Sequence, residues 1–292
     1  MGNCCTSEKE KNDIDVTRIG TRKVVLNRDP TKKGLGETED DNKFRWKLDE
    51  RLKKDLRDLY DEYKEMVEEE MQPESEAEEA GIKFINVQAV QEGVYEGGWS
   101  TKSNQRLGEG RIIYHNGTFH HGMWDRNLPN GTGLKVFTDG DVYFGEFVNG
   151  KMEGYGEYFT SDGKHYEGEF VRNVYEGEGT EEWDDGTVYK GGWKAGKKHG
   201  NGKLDLANGC SYEGGFKNGL FEGKGTYKYE DGKKYKGDYL KNKRHGYGVF
   251  TWPNGKIYEG HWVNGKQHGG ANCKRGGTEV ETEWKKGELI KA

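Results

Sequence analysis

The sequence predicts a mainly β chain: an elongated single-layer antiparallel array of β-hairpins, preceded by a disordered tail and one long amphipathic α-helix. Three observations carry this reading. A five-residue pattern, aromatic-x-Gly-x-aromatic, recurs eight times after residue 95, with central glycines at 97, 122, 145, 168, 191, 214, 237 and 260. The first gap is 25 residues and the next six are each 23, the strict spacing of a stacked repeat. Apolar residues make up only 31% of the chain, yet aromatics reach 12% and 47 glycines stand against 4 prolines, so a thin, ring-rich structure fits better than a compact globule.

Residues 1–42 read as a disordered, acylated membrane tether. The chain opens Met1-Gly2-Asn3-Cys4-Cys5-Thr6. Gly2, with Thr6 four residues on, fits N-myristoylation, and Cys4 and Cys5 stand where palmitate is added. One myristoyl chain holds a bilayer only marginally, whereas two acyl chains anchor stably. The competing reading is a chance Met-Gly start on a flexible tail. A charge of +3 over residues 1–36 adds weak attraction to anionic lipid. The expected location is the cytoplasmic face of a membrane, plasma or ciliary. No 18-residue apolar run suggests a transmembrane helix.

Residues 43–72 read as an amphipathic helix. Leu48, Leu52, Leu56, Leu59, Tyr63 and Met66 or Val67 recur at steps of three and four, which gathers them into one stripe. Pro73 ends it. Its 28 central residues, 44–71, would span about 40 Å. Packing in cis, pairing in a homodimer and docking in a partner's groove all remain open. Residues 73–94 form an acidic linker and a leading strand, and residues 37–80 together carry −10.

Residues 95–280 hold the eight repeats, and 281–292 a terminal partial-repeat cap. Each unit has an aromatic strand, a turn such as Asn149-Gly150, a Gly-x-Gly element such as Gly154-Tyr155-Gly156, a second strand, and an Asp-Gly or Asn-Gly turn such as Asp162-Gly163. Such turns between alternating runs signal hairpins. Alternation puts Tyr166, Gly168 and Phe170 on one face, with Glu167 and Glu169 on the other. The second strand adds Tyr158/Thr160, Glu181/Trp183, Leu204/Leu206, Tyr227/Tyr229 and Phe250/Trp252 to the aromatic face; in the eighth unit these positions become Asn272 and Lys274. Glycine inside a strand has two rival explanations: a sharp bend, or a ring lying across the backbone.

The motif Y-x-G-x-[WFY], then N-G-K-x-x-G-x-G, then [DN]-G, closely matched by YEGHWVNGKQHG at 258–269, resembles the MORN-repeat family. The second unit departs, with His120 for tyrosine and DRNLPNG for the usual turn, and the first has a two-residue insertion. The resemblance implies an elongated twisted sheet with an aromatic groove. Its lining would be Tyr95, Trp99, Trp124, Tyr143, Phe147, Tyr166, Phe170, Tyr189, Trp193, Tyr212, Phe216, Tyr235, Tyr239, Tyr258 and Trp262.

No catalytic constellation stands out. GLFEGKGT (219–226) is spaced wrongly for a phosphate loop, with Gly225 where Ser or Thr belongs. His199, His245 and His268 share one repeat position, too far apart for one metal. The repeats are nearly neutral, which argues against nucleic acid. No cofactor or metal is expected. The reading is a non-enzymatic, membrane-tethered scaffold or adaptor that presents its groove to a protein partner, such as an amphipathic helix, at a membrane–cytoskeleton or ciliary structure. The alternatives are a phospholipid-headgroup binder, using Lys197/Lys198, Lys233/Lys234 and Lys241/Lys243/Arg244, or a regulatory subunit of a lipid-signalling enzyme.

Overall fold

The computed structural model describes residues 81–292; the acylation motif, the tether 1–42 and the helix 43–72 lie outside the described residues. Nineteen strands, from Ile82–Val90 to Glu288–Lys291, form a single sheet. Each pairs antiparallel with the next in sequence, so the sheet is one continuous meander.

Turn chemistry sets this topology. In the fourth repeat, strand His165–Val171 leads through Arg172-Asn173 into strand Val174–Glu182. Arg172 and Asn173 have φ of 50° and 72°, the type I′ combination whose twist suits a two-residue hairpin. Arg126-Asn127 adopts the same form at 47° and 69°, so the divergent second unit keeps the common shape. The first unit's insertion lengthens one turn, between Ser100 and Gln105. At the other end of each hairpin, Asp185, Asn208 and Asn254 accept the N–H two residues on, closing the wider turns.

Neighbouring turns are tied together. The N–H groups of Gly150, Asn173, Gly196 and Gly219 donate to the carbonyls of Pro129, Met152, Tyr175 and Lys198 in the preceding repeat. Where asparagine replaces glycine, its Oδ1 also accepts: Asn173 from Met152 N–H at 2.7 Å and Asn242 from Phe221 N–H at 2.6 Å. Both turn sequences therefore give the same stack.

The core is a column of rings on one face. Tyr166 stands edge-on to Phe170 of its own repeat (5.2 Å) and to Trp193 of the next (5.3 Å). Tyr189 does the same with Trp193 (5.3 Å) and Phe216 (5.0 Å). Such contacts run unbroken from Trp99 to Trp284, within the range where edge-to-face pairs attract.

Both explanations for the strand glycine hold. Gly168 faces Gly179 across the ladder, and the pairing slips between Gly168 and Glu169, a bulge. The Tyr166 ring folds back over this pair. A Cβ at Gly179 would lie 2.5 Å from Tyr166 Oη and 2.7 Å from its Cε2. The Tyr166 hydroxyl donates to the Glu169 carbonyl at 3.0 Å. Tyr95, Tyr143, Tyr189, Tyr212, Tyr235 and Tyr258 make the same bond three residues ahead.

The last repeat corrects one assignment. Ala271, not Gly270, stands opposite Gly260, so Cys273 rather than Asn272 pairs with Tyr258. Beyond it, Thr282 takes the glycine's place and its hydroxyl donates to the Ala271 carbonyl at 3.0 Å, while Trp284 packs on Tyr258.

Candidate partner-binding face

The motif aromatics are core, not lining. Tyr95, Trp124, Tyr143, Phe147, Tyr166, Phe170, Tyr189, Trp193, Tyr212, Phe216, Tyr235, Tyr239, Tyr258 and Trp262 are all buried, and Trp99 is half-buried. This overturns the expectation that they line an open groove. The physical reason is the glycine trough: each ring sinks onto the backbone and is then covered from above. Alternation fixes a side chain's face but not its depth on that face. Burial also keeps the hydroxyls protonated; that of Tyr258 is pushed up to about 12, chiefly by desolvation.

The covering layer comes from the second strands. Tyr175 and Phe221 lie flat on Tyr166 and Tyr212, with centroids 3.7 and 3.6 Å apart. At the same repeat position, cations replace the aromatic. Lys198 Nζ sits 4.3 Å over Trp183 and 4.8 Å over Trp193, and pairs with Glu181 at 2.7 Å. Arg244 Cζ lies 4.2 Å over Trp262 and 5.3 Å over Phe250. Each cation-over-ring contact is worth about 0.5–2 kcal/mol, depending on desolvation. The sequence marks this row only as the second residue after each turn.

Half-buried Phe137, Tyr158, Trp183, Leu204, Tyr227, Tyr229 and Trp252 complete the outer layer. Tyr158 donates to Asp141 Oδ2 at 2.8 Å, and Asp141 Oδ1 accepts from Ser161 N–H. Lys135 and Lys256 extend over Phe137 and Trp252. Where Gln267 takes the covering position, a hollow of about 290 Å³ opens beside Arg244, Phe250, Trp252 and Trp262. The accessible character of this face is thus aromatic with embedded cations.

The histidine row shares its repeat position with a set of turn braces. In several repeats the residue before the Gly-x-Gly accepts the first N–H of the next repeat's turn: Glu153 from Arg172, Glu176 from Ala195, Glu222 from Lys241, and His268 Nδ1 from Lys286 at 3.4 Å. His199 and His245 occupy the same position, but the buried Nδ1 of each has no hydrogen-bond partner.

His120 is the column's weak member. It is 1% exposed, packs edge-on against Trp124 and Phe147, and neither ring nitrogen has a partner. Burial first, then neighbouring cationic groups, push its pKa down to about 3. The folded protein holds it neutral while the unfolded chain protonates it below its ordinary value of 6.5. Its folded pKa is depressed, so stability is full above pH 6.5 and falls as pH drops from 6.5 toward 3, by about 1.4 kcal/mol per unit. His120→Tyr should abolish this segment of the pH dependence. It should also add about 1 kcal/mol at neutral pH through the missing hydroxyl–carbonyl bond. Urea melts at pH 7 and pH 5 check both; equal pH sensitivity in the two proteins would contradict the assignment.

The MORN repeat description matches at 95–119, 120–142, 143–165, 166–188, 189–211, 212–234, 235–257 and 258–269. A search of curated proteins finds no match. Among solved structures, the chain is similar to the TCP10 domain of Danio rerio CPAP, at 10% identity and a TM-score of 0.39, covering 71% of this chain and 100% of that one. The same domain in complex with a peptide of Danio rerio STIL gives 11% identity and a TM-score of 0.40, covering 71% and 97%. The TCP domain of Drosophila melanogaster SAS-4, in complex with a proline-rich motif of Ana2, gives 18% identity and a TM-score of 0.33, covering 53% and 85%. With eight matched units spanning 95–269, well over half its length, the chain belongs to the MORN-repeat family.

Proposed function

We propose that this protein is a non-enzymatic scaffold, held at a membrane by acyl chains on Gly2, Cys4 and Cys5, whose repeat array receives a protein partner. The observation that carries the binding role is the outer layer. Half-buried rings from Phe137 to Trp252 share one face with Lys198, Arg244 and Lys256 lying across them. A surface of large, stiff rings with planar and ammonium cations suits an extended or helical segment that brings apolar side chains and carboxylates. The buried motif column supports this surface without touching the partner.

Two full-length variants test the reading. Gly2→Ala should release a tagged chain from membranes, and membrane retention would refute the tether. Combined Trp183→Ala, Tyr229→Ala and Trp252→Ala should leave membrane association intact while lowering recovery of co-purifying proteins at least tenfold. Unchanged recovery would refute the binding face. Equal binding of both chains to anionic vesicles, with no protein captured by either, would favour a headgroup binder.

A further inference from the structure

The face opposite the ring column is not uniform along the array. In the first three repeats it carries Phe119, Leu134, Val136 and Val142, with Ile113, Phe144 and Phe159 packed against them. All four of the first group are buried, Phe119 and Val142 at 2% exposure. Later repeats place mostly polar residues at the same register, with Val188, Val249 and Ile257 half-buried there. Phe119 corresponds to Lys234, His121 to Glu213 and Lys236, and Val136 to Glu182 and Lys228. All five of these counterparts are exposed, whereas His121 is buried. The main contacts of each described strand are with its neighbours in the sheet, so no described element forms a second layer here. A hollow of about 220 Å³, bounded by Glu109, His121, Met123, Thr132, Leu134 and Phe144, opens on this side.

We infer that residues 44–71 of the same chain lie across this face, with Leu48, Leu52, Leu56 and Leu59 against the apolar patch. Length and tether agree with this occupant. The patch runs from strand Gln105–Tyr114 to strand Lys151–Phe159, five strands that span about 19 Å at 4.8 Å each. A helix of 44–71 reaches about 40 Å. Nine residues, 72–80, join it to Gly81 at the leading edge of the sheet, and these extend to about 30 Å. That reach covers the first repeats and stops short of the last strands of the array. Charge also agrees: 44–71 bears both signs, and the patch is rimmed by the Arg111–Glu96 pair at 2.7 Å and the His121–Glu109 pair at 3.1 Å. This goes beyond the scaffold reading and does not depend on it. One consequence joins them: the helix would lie on the side away from the aromatic-cationic face and leave that face open.

The test uses the full chain with a photo-crosslinking amino acid at Phe144 or, as control, at Lys236. Equal parts of isotopically light and heavy protein are mixed before illumination. The expected result is crosslinking from position 144 to peptides within 44–71, at least tenfold above position 236, in light–light and heavy–heavy pairs. Equal yield at both positions, or crosslinks to other segments, would overturn the inference. Abundant light–heavy pairs would also overturn it by placing a second copy on the face.

Discussion

Replacing Gly225 with alanine should destabilise the array by about 3 kcal/mol or more, although the new methyl group is the smallest addition available. Gly225 lies on the second strand of the sixth repeat, opposite Gly214. Its backbone tolerates an L-residue, so the cost comes from space. A Cβ there would stand within 2.6 Å of Tyr212 Oη, Cε2 and Cζ. Those atoms are the rigid end of a fully buried ring that also contacts Phe216, Tyr239 and Phe221. The ring has nowhere to retreat without breaking three contacts and its bond to the Gly215 carbonyl. Chemical denaturation monitored by circular dichroism reads the loss. Since each repeat leans only on its neighbours, the transition should also broaden or split at the sixth unit.

Tyr212→Ala should cost about 3–5 kcal/mol, the usual range for deleting a large buried aromatic side chain. The cavity would interrupt the column between Phe216 and Tyr239 and strip the support from Phe221, which lies flat on Tyr212 at 3.6 Å. Tyr212→Phe separates the two roles of the residue. It keeps the ring contacts and removes only the hydroxyl, leaving the Gly215 carbonyl without that 2.9 Å donor, for about 1–2 kcal/mol. A phenylalanine variant as damaging as alanine would mean that the hydroxyl, not the ring, holds the repeat together.

These residues also show what a sequence of this kind discloses. The strands and their phase were legible because turn residues and periodicity repeat eightfold. Asn149-Gly150 and Asp162-Gly163 bracket a strand as clearly on paper as in space. The shared face of Tyr166, Phe170 and Trp183 follows from alternation, and all three join one cluster. Depth was not legible. Tyr166 and Tyr175 sit on the same face, yet one is buried under the other, because Gly168 and Gly179 pair to form a trough one ring wide. That pairing across the strands was the missed signal. The apolar patch on the opposite face was hidden for a different reason. Glu167 and Glu169 made that face polar in the fourth repeat, and that character does not extend back to Phe119, Leu134 and Val142. An average over repeats conceals a patch confined to three of them.

The most direct test of the claim that motif glycine and motif tyrosine form one packing unit is a double-mutant cycle. Gly225→Ala is measured in the wild-type chain and again in Tyr212→Ala. All three nearest atoms to the added Cβ belong to Tyr212, so with that ring gone the second cost should fall below about 1 kcal/mol. Gly214→Ala serves as the control: its nearest neighbours are Gly225 Cα and the Lys224 carbonyl, both at 2.5 Å, and loss of the ring should not relieve it. A full, undiminished penalty for Gly225→Ala in the Tyr212→Ala chain would contradict the account.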